Sequence, residues 1–446
     1  MQSKNLSSGK YLLQALLLTV LFFPSAIFSQ KLEKANPETV GMSTERLKRI
    51  DKVIQPYVEK EQLAGVIALV AREGKIVYHR AFGYDDLAKK TPLKEDAIVR
   101  IASQTKAITS AAIMMLYEEG HFLLDDPVSK YIPSFAKTQV IETFSLADTT
   151  YTVRPAKRDI TIRDLLTHTS GIGYAVIGTE EARALYAKHQ IIVGVEDPHA
   201  DLGEVITRLG TLPVFHEPGT KYLYGLNSDV LGYLVEVVSG KTLADFLYER
   251  IFKVTEMNDT YFYLPPDKHH RLAKLYTEDK DKKTVKVVDY NGSSLARNGE
   301  ILENYPKIKG KYYAGGAGLS STALDYAKFL QMLLNGGRYN GHQLLSPTTV
   351  RLFTTNQIAD LQEGKRNFSL GFGITTAAQA ARHPIPEGTF DWGGAFGTTY
   401  WADPVEGVIG VLITQKQPST WGGELGNKFK AAVYQAIIES NQKFGQ

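Results

Sequence analysis

Arg100-Ile101-Ala102-Ser103-Gln104-Thr105-Lys106-Ala107-Ile108-Thr109 joins a strand-like stretch to a helical pattern. A helix entered near Ser103 places Lys106 on the same face one turn later, setting an amine beside a hydroxyl that is a weak nucleophile on its own. Ser-x-x-Lys taken alone is equally satisfied by an N-cap serine and a solvated lysine. The continuation decides between them. Ala107, Ile108 and the run Ala111 to Leu116 are apolar nearly all round, which predicts a helix in the protein interior. Desolvation disfavours the ammonium form, so a lysine embedded there is expected to accept a proton near neutrality.

The 446 residues include no cysteine, which removes disulfides, thiolate nucleophiles and cysteine-ligated metal sites together. The 51 basic and 48 acidic residues are mixed along the chain, and the net charge of +3 leaves no nucleic-acid footprint. Lys4 and Lys10 precede an almost continuous apolar run, Leu12 to Phe23, and then Pro24-Ser25-Ala26-Ile27-Phe28-Ser29. That is the pattern of a secretory signal over residues 1–29, cleaved after Ser29. The run is short of the ~20 apolar residues of a spanning helix, although an uncleaved signal anchor is the alternative. The expectation is a secreted, periplasmic protein with no stable membrane anchor after cleavage, its stability resting on its core alone.

Ser43 caps a helical pattern through Leu47, Ile50, Val53, Ile54 and Tyr57. Gly65 to Val70 and Lys75 to Tyr78 read as an antiparallel hairpin across Arg72-Glu73-Gly74. From about 120 to 310 the pattern is mostly helical and loop-rich. It includes a capping box at Thr161 and Asp164, and a second box, Thr322 with Asp325, follows it. Strands return at Thr398 to Ala402 and Val408 to Ile413, before a final helix over about 426–440. The fold class expected is α/β (α+β): one antiparallel sheet built from the N- and C-terminal segments, flanked by helices, with an inserted mainly helical lobe, all within one domain over residues 30–446.

Six motifs in order now carry a resemblance. They are Ser103-x-x-Lys106; Leu165-Leu166-Thr167-His168-Thr169-Ser170-Gly171; Pro218-Gly219-Thr220-Lys221-Tyr222-Leu223-Tyr224; Leu231-Gly232; Gly315-Gly316-Ala317-Gly318-Leu319-Ser320-Ser321; and Trp392-Gly393-Gly394. From about residue 40 to 440 the chain resembles the serine beta-lactamase-like family, which includes class C beta-lactamases, D,D-peptidases and esterases, and looks most like the esterase branch. The resemblance implies Ser103 as nucleophile and Lys106 as its proton partner. It implies that Tyr224 faces the serine from the inserted lobe, and that the Ser103 and Ala395 amides form the oxyanion hole. Donors of that kind are commonly worth ~3–4 kcal/mol in the transition state. A tyrosinate needs a nearby cation, which Lys106 supplies, so the pair is read as one coupled base. With 24 tyrosines in the chain, a packing role is the competing reading of Tyr224.

Two departures from the family pattern bear on the substrate. Where the lactamases have Lys-Thr-Gly, a cation and a hydroxyl suited to a lactam carboxylate, this chain has Trp392, Gly393 and Gly394, an apolar face and two glycines that allow close backbone approach. An ordinary edge bulge is the other explanation of that tripeptide. Leu226 occupies the expected asparagine position, leaving Asn227 one residue on for a weakened grip on the substrate. His168 is expected to be structural. The pairs His269-His270 and His216-Glu217 lack zinc spacing, so no metal and no cofactor is expected. The resulting expectation is a secreted hydrolase that forms an acyl-enzyme on Ser103 and cleaves small ester or amide substrates, carboxylic esters first. A beta-lactamase, a D-amino-acid peptidase and a catalytically weak cell-wall peptide-binding protein are the alternatives.

Overall fold

Residues 31–278, 285–287, 303–358, 361, 367–418 and 420–442 are described by a computed structural model. The expected signal and its cleavage point lie outside the described residues. The sheet strands are β1 (Glu33–Lys34), β2 (Gly65–Arg72), β3 (Lys75–Asp86), β4 (Thr91–Pro92), β5 (Gly373–Ile374), β6 (Phe390–Gly394), β7 (Thr398–Asp403) and β8 (Val408–Ile413). They form an eight-stranded sheet in the order β1-β3-β2-β8-β7-β6-β5, with β4 on β3. Every pairing is antiparallel except β1 with β3. The helices that matter for the site are α1 (Arg49–Glu59), α2 (Thr105–Glu118), α3 (Asn227–Ser239), α4 (Ala323–Leu334) and α5 (Gly422–Tyr434).

Alternation along β2 builds two apolar layers. Val66, Ala68 and Val70 face Ile50, Ile54, Phe429 and Val433 of α1 and α5. Ile67, Leu69 and Ala71 face the opposite way, into the larger core that holds α2, α3 and α4. A strand covered on both sides needs an unbroken apolar run, which Gly65 to Ala71 supplies. The β2–β3 turn is tight because Glu73 and Gly74 both take positive φ, the geometry that matches a two-residue hairpin loop to strand twist.

The helical lobe contains something its sequence did not announce. Gln139–Ser145 and Thr150–Pro155 pair as a hairpin. Its residues are mostly exposed or half-buried, so it lacks the buried alternation by which a strand is read. The final helix begins earlier than expected and ends at Tyr434. Beyond it, the Ile438 and Glu439 amides bond the Gly41 carbonyl, and that competing partner ends the helix. The Thr161–Asp164 box is complete. At Thr322 only half a box exists: its hydroxyl accepts from the Asp325 amide, while the Asp325 carboxylate is drawn off by the Asp259 amide and the Thr260 hydroxyl. Among the described residues, no helix is long and apolar enough to cross a membrane.

Candidate active site

Ser103 sits in a 3-10 turn, Ala102–Gln104, that runs directly into α2. Ala102, the residue before it, holds φ 43°, a left-handed conformation that is costly for a residue with a Cβ. That kink re-aims the chain between β-structure and helix and sets Ser103 at the mouth of the lobe interface. Lys106, one turn on, is 3% exposed. Its Nζ donates to the Gly316 carbonyl at 2.6 Å and, more weakly, to Ser103 Oγ at 3.4 Å. The same nitrogen stands 4.7 Å from the Tyr224 ring centroid and 5.5 Å from that of Tyr174. The structure therefore gathers Ser103 and Lys106 from one segment and Tyr224 from another.

Carbonyl, hydroxyl and two ring faces are all electron-rich, so the pocket suits a cationic amine. Burial alone, the basis of the sequence expectation, omits this. The carbonyl comes from Gly315-Gly316-Ala317-Gly318, whose close approach to α2 is also marked by the Thr109 hydroxyl on Gly315 O at 2.8 Å. A Cβ at Gly315 would lie 2.4 Å from the Ser228 carbonyl. Small residues are required there for the lobes to meet.

Tyr224 belongs to an aromatic cluster. Its ring lies 4.8 Å from His168, 5.7 Å from Tyr174 and 5.7 Å from Trp392, centroid to centroid. Phe368 closes the group, 5.1 Å from Trp392 and 5.5 Å from His168. Trp392 thus forms an apolar wall beside Tyr224. Strand β6 pairs with β7 in unbroken register, Trp392 opposite Tyr400 and Gly394 opposite Thr398, so no bulge explains the glycines. A Cβ on Gly394 would meet the Ile101 carbonyl at 2.3 Å. Its absence lets β6, and Ala395 just beyond, lie against the turn that carries Ser103.

Asn227 departs from expectation. It is fully buried in the first turn of α3, donating from Nδ2 to His168 Nδ1 at 2.9 Å and accepting from the Ser170 hydroxyl. Both polar ends of the amide are used inside the protein, so it is not presented to the cleft. The His168 ring, held by that bond, packs on Tyr224 as a spacer.

Asp229, two residues further along α3, was not foreseen. It is 1% exposed, and no side chain donates to either carboxylate oxygen; only the backbone amides of Gly316 and of Asp229 itself approach it. Burial pushes it up to about 6, while Lys106 pulls the other way. An acid within Leu226-Asn227-Ser228-Asp229-Val230-Leu231, an otherwise interior helix start, was the available signal. Tyr174 carried none, being one tyrosine among 24. Burial holds it well above the usual phenol range, so it is neutral.

Behind β6, a cavity of about 340 Å³ is lined by Trp392, Asp391, Asn427 and Lys430 among others. Lys430 is paired there with Asp391 at 3.0 Å. Among the described residues no cluster of three or more His, Asp and Glu side chains is placed to hold a metal.

This arrangement has counterparts. The Beta-lactamase family model matches residues 50–435. Esterase EstB of Burkholderia gladioli is 30% identical over 394 residues, covering 86% of this chain and 94% of that protein. A putative D-alanyl-D-alanine carboxypeptidase of Escherichia coli K12 is 28% identical, covering 90% of each. Among solved structures, EstCE1, described as a hydrolase with promiscuous acyltransferase activity, superposes with a TM-score of 0.74 at 26% identity, covering 87% of this chain and 99% of its own. A match of this length, over a mixed α/β architecture with the same sheet and inserted lobe, places the chain in the beta-lactamase family of serine hydrolases.

Proposed function

We propose that this hydrolase acts through an acyl-enzyme on Ser103 and cleaves neutral carboxylic esters. The observation that carries the substrate class is Trp392-Gly393-Gly394 on β6, with the indole packed on Tyr224 and Phe368 where a carboxylate-binding member of the family has a cation. An aryl or alkyl ester needs an apolar wall and an oxyanion hole and no counter-charge. Lys430 is the cation beside β6, and its charge is already met by Asp391.

In the reaction so read, Ser103 Oγ attacks the ester carbonyl as its proton passes to the Tyr224–Lys106 unit. The Ser103 and Ala395 amides hold the developing oxyanion. Collapse expels the alkoxide, which takes up the proton and leaves as the alcohol. Water, deprotonated by the same unit, then releases the acid and restores Ser103. Substrate contact falls to Trp392, Gly393 and Gly394. The chain from residue 30 onward is read as one domain because both lobes share one core. The N-terminal 29 residues are read as an export signal, so a mature protein collected from the periplasm should begin at Gln30.

Fluorophosphonate labelling located by peptide mass spectrometry tests the nucleophile, and label anywhere but Ser103 refutes it. Ser103→Ala should be folded and inactive. A panel of p-nitrophenyl esters, a chromogenic cephalosporin and D-Ala-D-Ala peptides tests the substrate class, and preferred turnover of either of the last two transfers the assignment to lactamase or peptidase.

A further inference from the structure

Lys106 and Asp229 converge on the bare face of one glycine. A Cβ placed on Gly316 would lie 2.6 Å from Asp229 Oδ2 and 3.4 Å from Lys106 Nζ. The space a side chain would fill at Gly316 is thus bordered by the amine on one side and the carboxylate on the other. Asp229 has little to balance its burial: no side chain donates to either oxygen, only the backbone amides of Gly316 and of Asp229 itself approach it, and none of the ion pairs of the described residues includes it. Such a group is costly to keep, since burial disfavours the charged form. It makes no cap either, lying inside the first turn of α3 rather than at its N-cap. A residue that only packed there would be expected to be apolar, as Val230 and Leu231 beside it are.

The titratable groups around Asp229 come from four segments. Lys106 comes from α2, Tyr174 from the segment after Gly171, Tyr224 from just ahead of α3, and Tyr312 from the approach to Gly315. Tyr174 and Tyr312 are fully buried and both feel Asp229, and each is held well above the usual phenol range, mainly by desolvation. Both are therefore neutral near pH 7, which leaves Lys106 as the charge that Asp229 meets. The backbone amides of Gly316 and of Asp229 itself also favour the carboxylate, more weakly. From the other side, every group around the amine is an acceptor or a ring face.

We propose that Asp229 is a positioning residue for the hydrolytic reaction: across Gly316's missing side chain it acts as the buried counter-charge that holds the Lys106 amine aimed at Ser103 and the face of Tyr224. Lys106 then orients Ser103 and relays its proton through the Tyr224–Lys106 unit. This rests on the Ser103, Lys106 and Tyr224 assignment above. It adds a requirement that assignment lacks, since activity now needs the carboxylate form of Asp229. Protonating Asp229 discharges the counter-ion, and acylation falls with it.

The test is kcat/KM for p-nitrophenyl butyrate from pH 5 to 8 in the full chain, for wild type, Asp229→Asn and Gly316→Ala. Asparagine keeps the shape and removes the charge. At pH 8 the Asp229→Asn variant should fall about 10- to 100-fold below wild type, with KM little changed. Toward pH 5 the wild type loses its own carboxylate charge, so the ratio of wild type to variant should shrink toward unity. Gly316 does not take a positive φ, so alanine is allowed there by the backbone; its methyl would push the carboxylate off the amine and should reproduce the same converging ratio. It also supplies the readout should Asp229→Asn fail to fold, as judged by circular dichroism. A ratio that stays constant across the range, or no loss at pH 8, overturns the proposal. Failure of the underlying assignment looks different, because Ser103→Ala would then remain active whatever the Asp229 ratio does.

Discussion

Lys106 Nζ stands over the ring of Tyr224, 4.7 Å from its centroid, while it donates to the Gly316 carbonyl. On the proposed reading the two side chains act as one proton-transfer unit, neither with an independent task. Lys106→Ala and Tyr224→Phe should each slow acylation by ~10²–10⁴, and the double variant should lose little more than the worse single one. Stopped-flow acylation rates check this. Multiplicative losses would show two separate roles.

On the proposed reading, Trp392 and the Lys430–Asp391 pair set the selectivity. With an apolar wall at the strand edge and the neighbouring cation neutralised, kcat/KM for p-nitrophenyl acetate or butyrate should exceed that for a chromogenic cephalosporin by at least ~10²-fold, roughly 2.7 kcal/mol of transition-state preference. Asp391→Asn frees the Lys430 charge and should narrow the gap by improving the cephalosporin. Steady-state kinetics on the two substrates decide the matter, and a gap already absent in the wild type would discredit the ester assignment.

Asp229 makes a second, thermodynamic prediction. Its carboxyl moves from an ordinary 3.8 to about 6 on folding, pushed by desolvation. Between those values the folded state holds the proton more tightly than the unfolded chain does. The stabilisation from protonation is therefore complete below 3.8 and is lost as pH rises through 6. Above that, ionised Asp229 costs the fold roughly 2–3 kcal/mol. Asp229→Asn does not titrate, so the Tm of the variant minus that of the wild type should rise between pH 5 and pH 8, even as activity falls. Thermal melts at several pH values measure it, and a difference independent of pH would contradict the shift.

Asn227 should prove structural. Its amide satisfies His168 and Ser170 in the interior, so Asn227→Ala strands both partners and should cost about 1–3 kcal/mol of stability. Denaturant unfolding reports this directly. A variant of unchanged stability with a raised KM would instead return Asn227 to the substrate.

The sheet was legible because its strands carry strong, simple patterns. Gly65 to Ala71 and Val408 to Ile413 are buried on both faces and so are apolar throughout, and Glu73-Gly74 marks the turn. The Gln139–Pro155 hairpin was not legible, because it sits at the surface, where burial writes no period into the sequence. Within the candidate site, the nearness of Ser103 to Lys106 was legible in local helical spacing, and that of Tyr224 in its motif. Asp229 and Tyr174 owe their place to how α3 and the segment after Gly171 dock against α2. Asn227 was misjudged for a related reason. A residue beside an expected substrate contact can turn inward, and α3 rotates this one onto His168.

The close approach of Gly394 to Ile101 has a consequence in time. Ribosomal synthesis delivers Ser103, Lys106 and Tyr224 well before β6, and β2 must wait for β8, with Ile67 opposite Ile413, before the central sheet can close. Pairing across so long a stretch of chain is entropically late. A nascent or C-terminally clipped chain therefore holds Ser103 with no strand docked beside it, and on the proposed reading with no oxyanion hole. Chemical reactivity arrives with the last hairpin, so a chain ending before Val408 should take up no fluorophosphonate, and appearance of the label during refolding times the docking of the C-terminal strands.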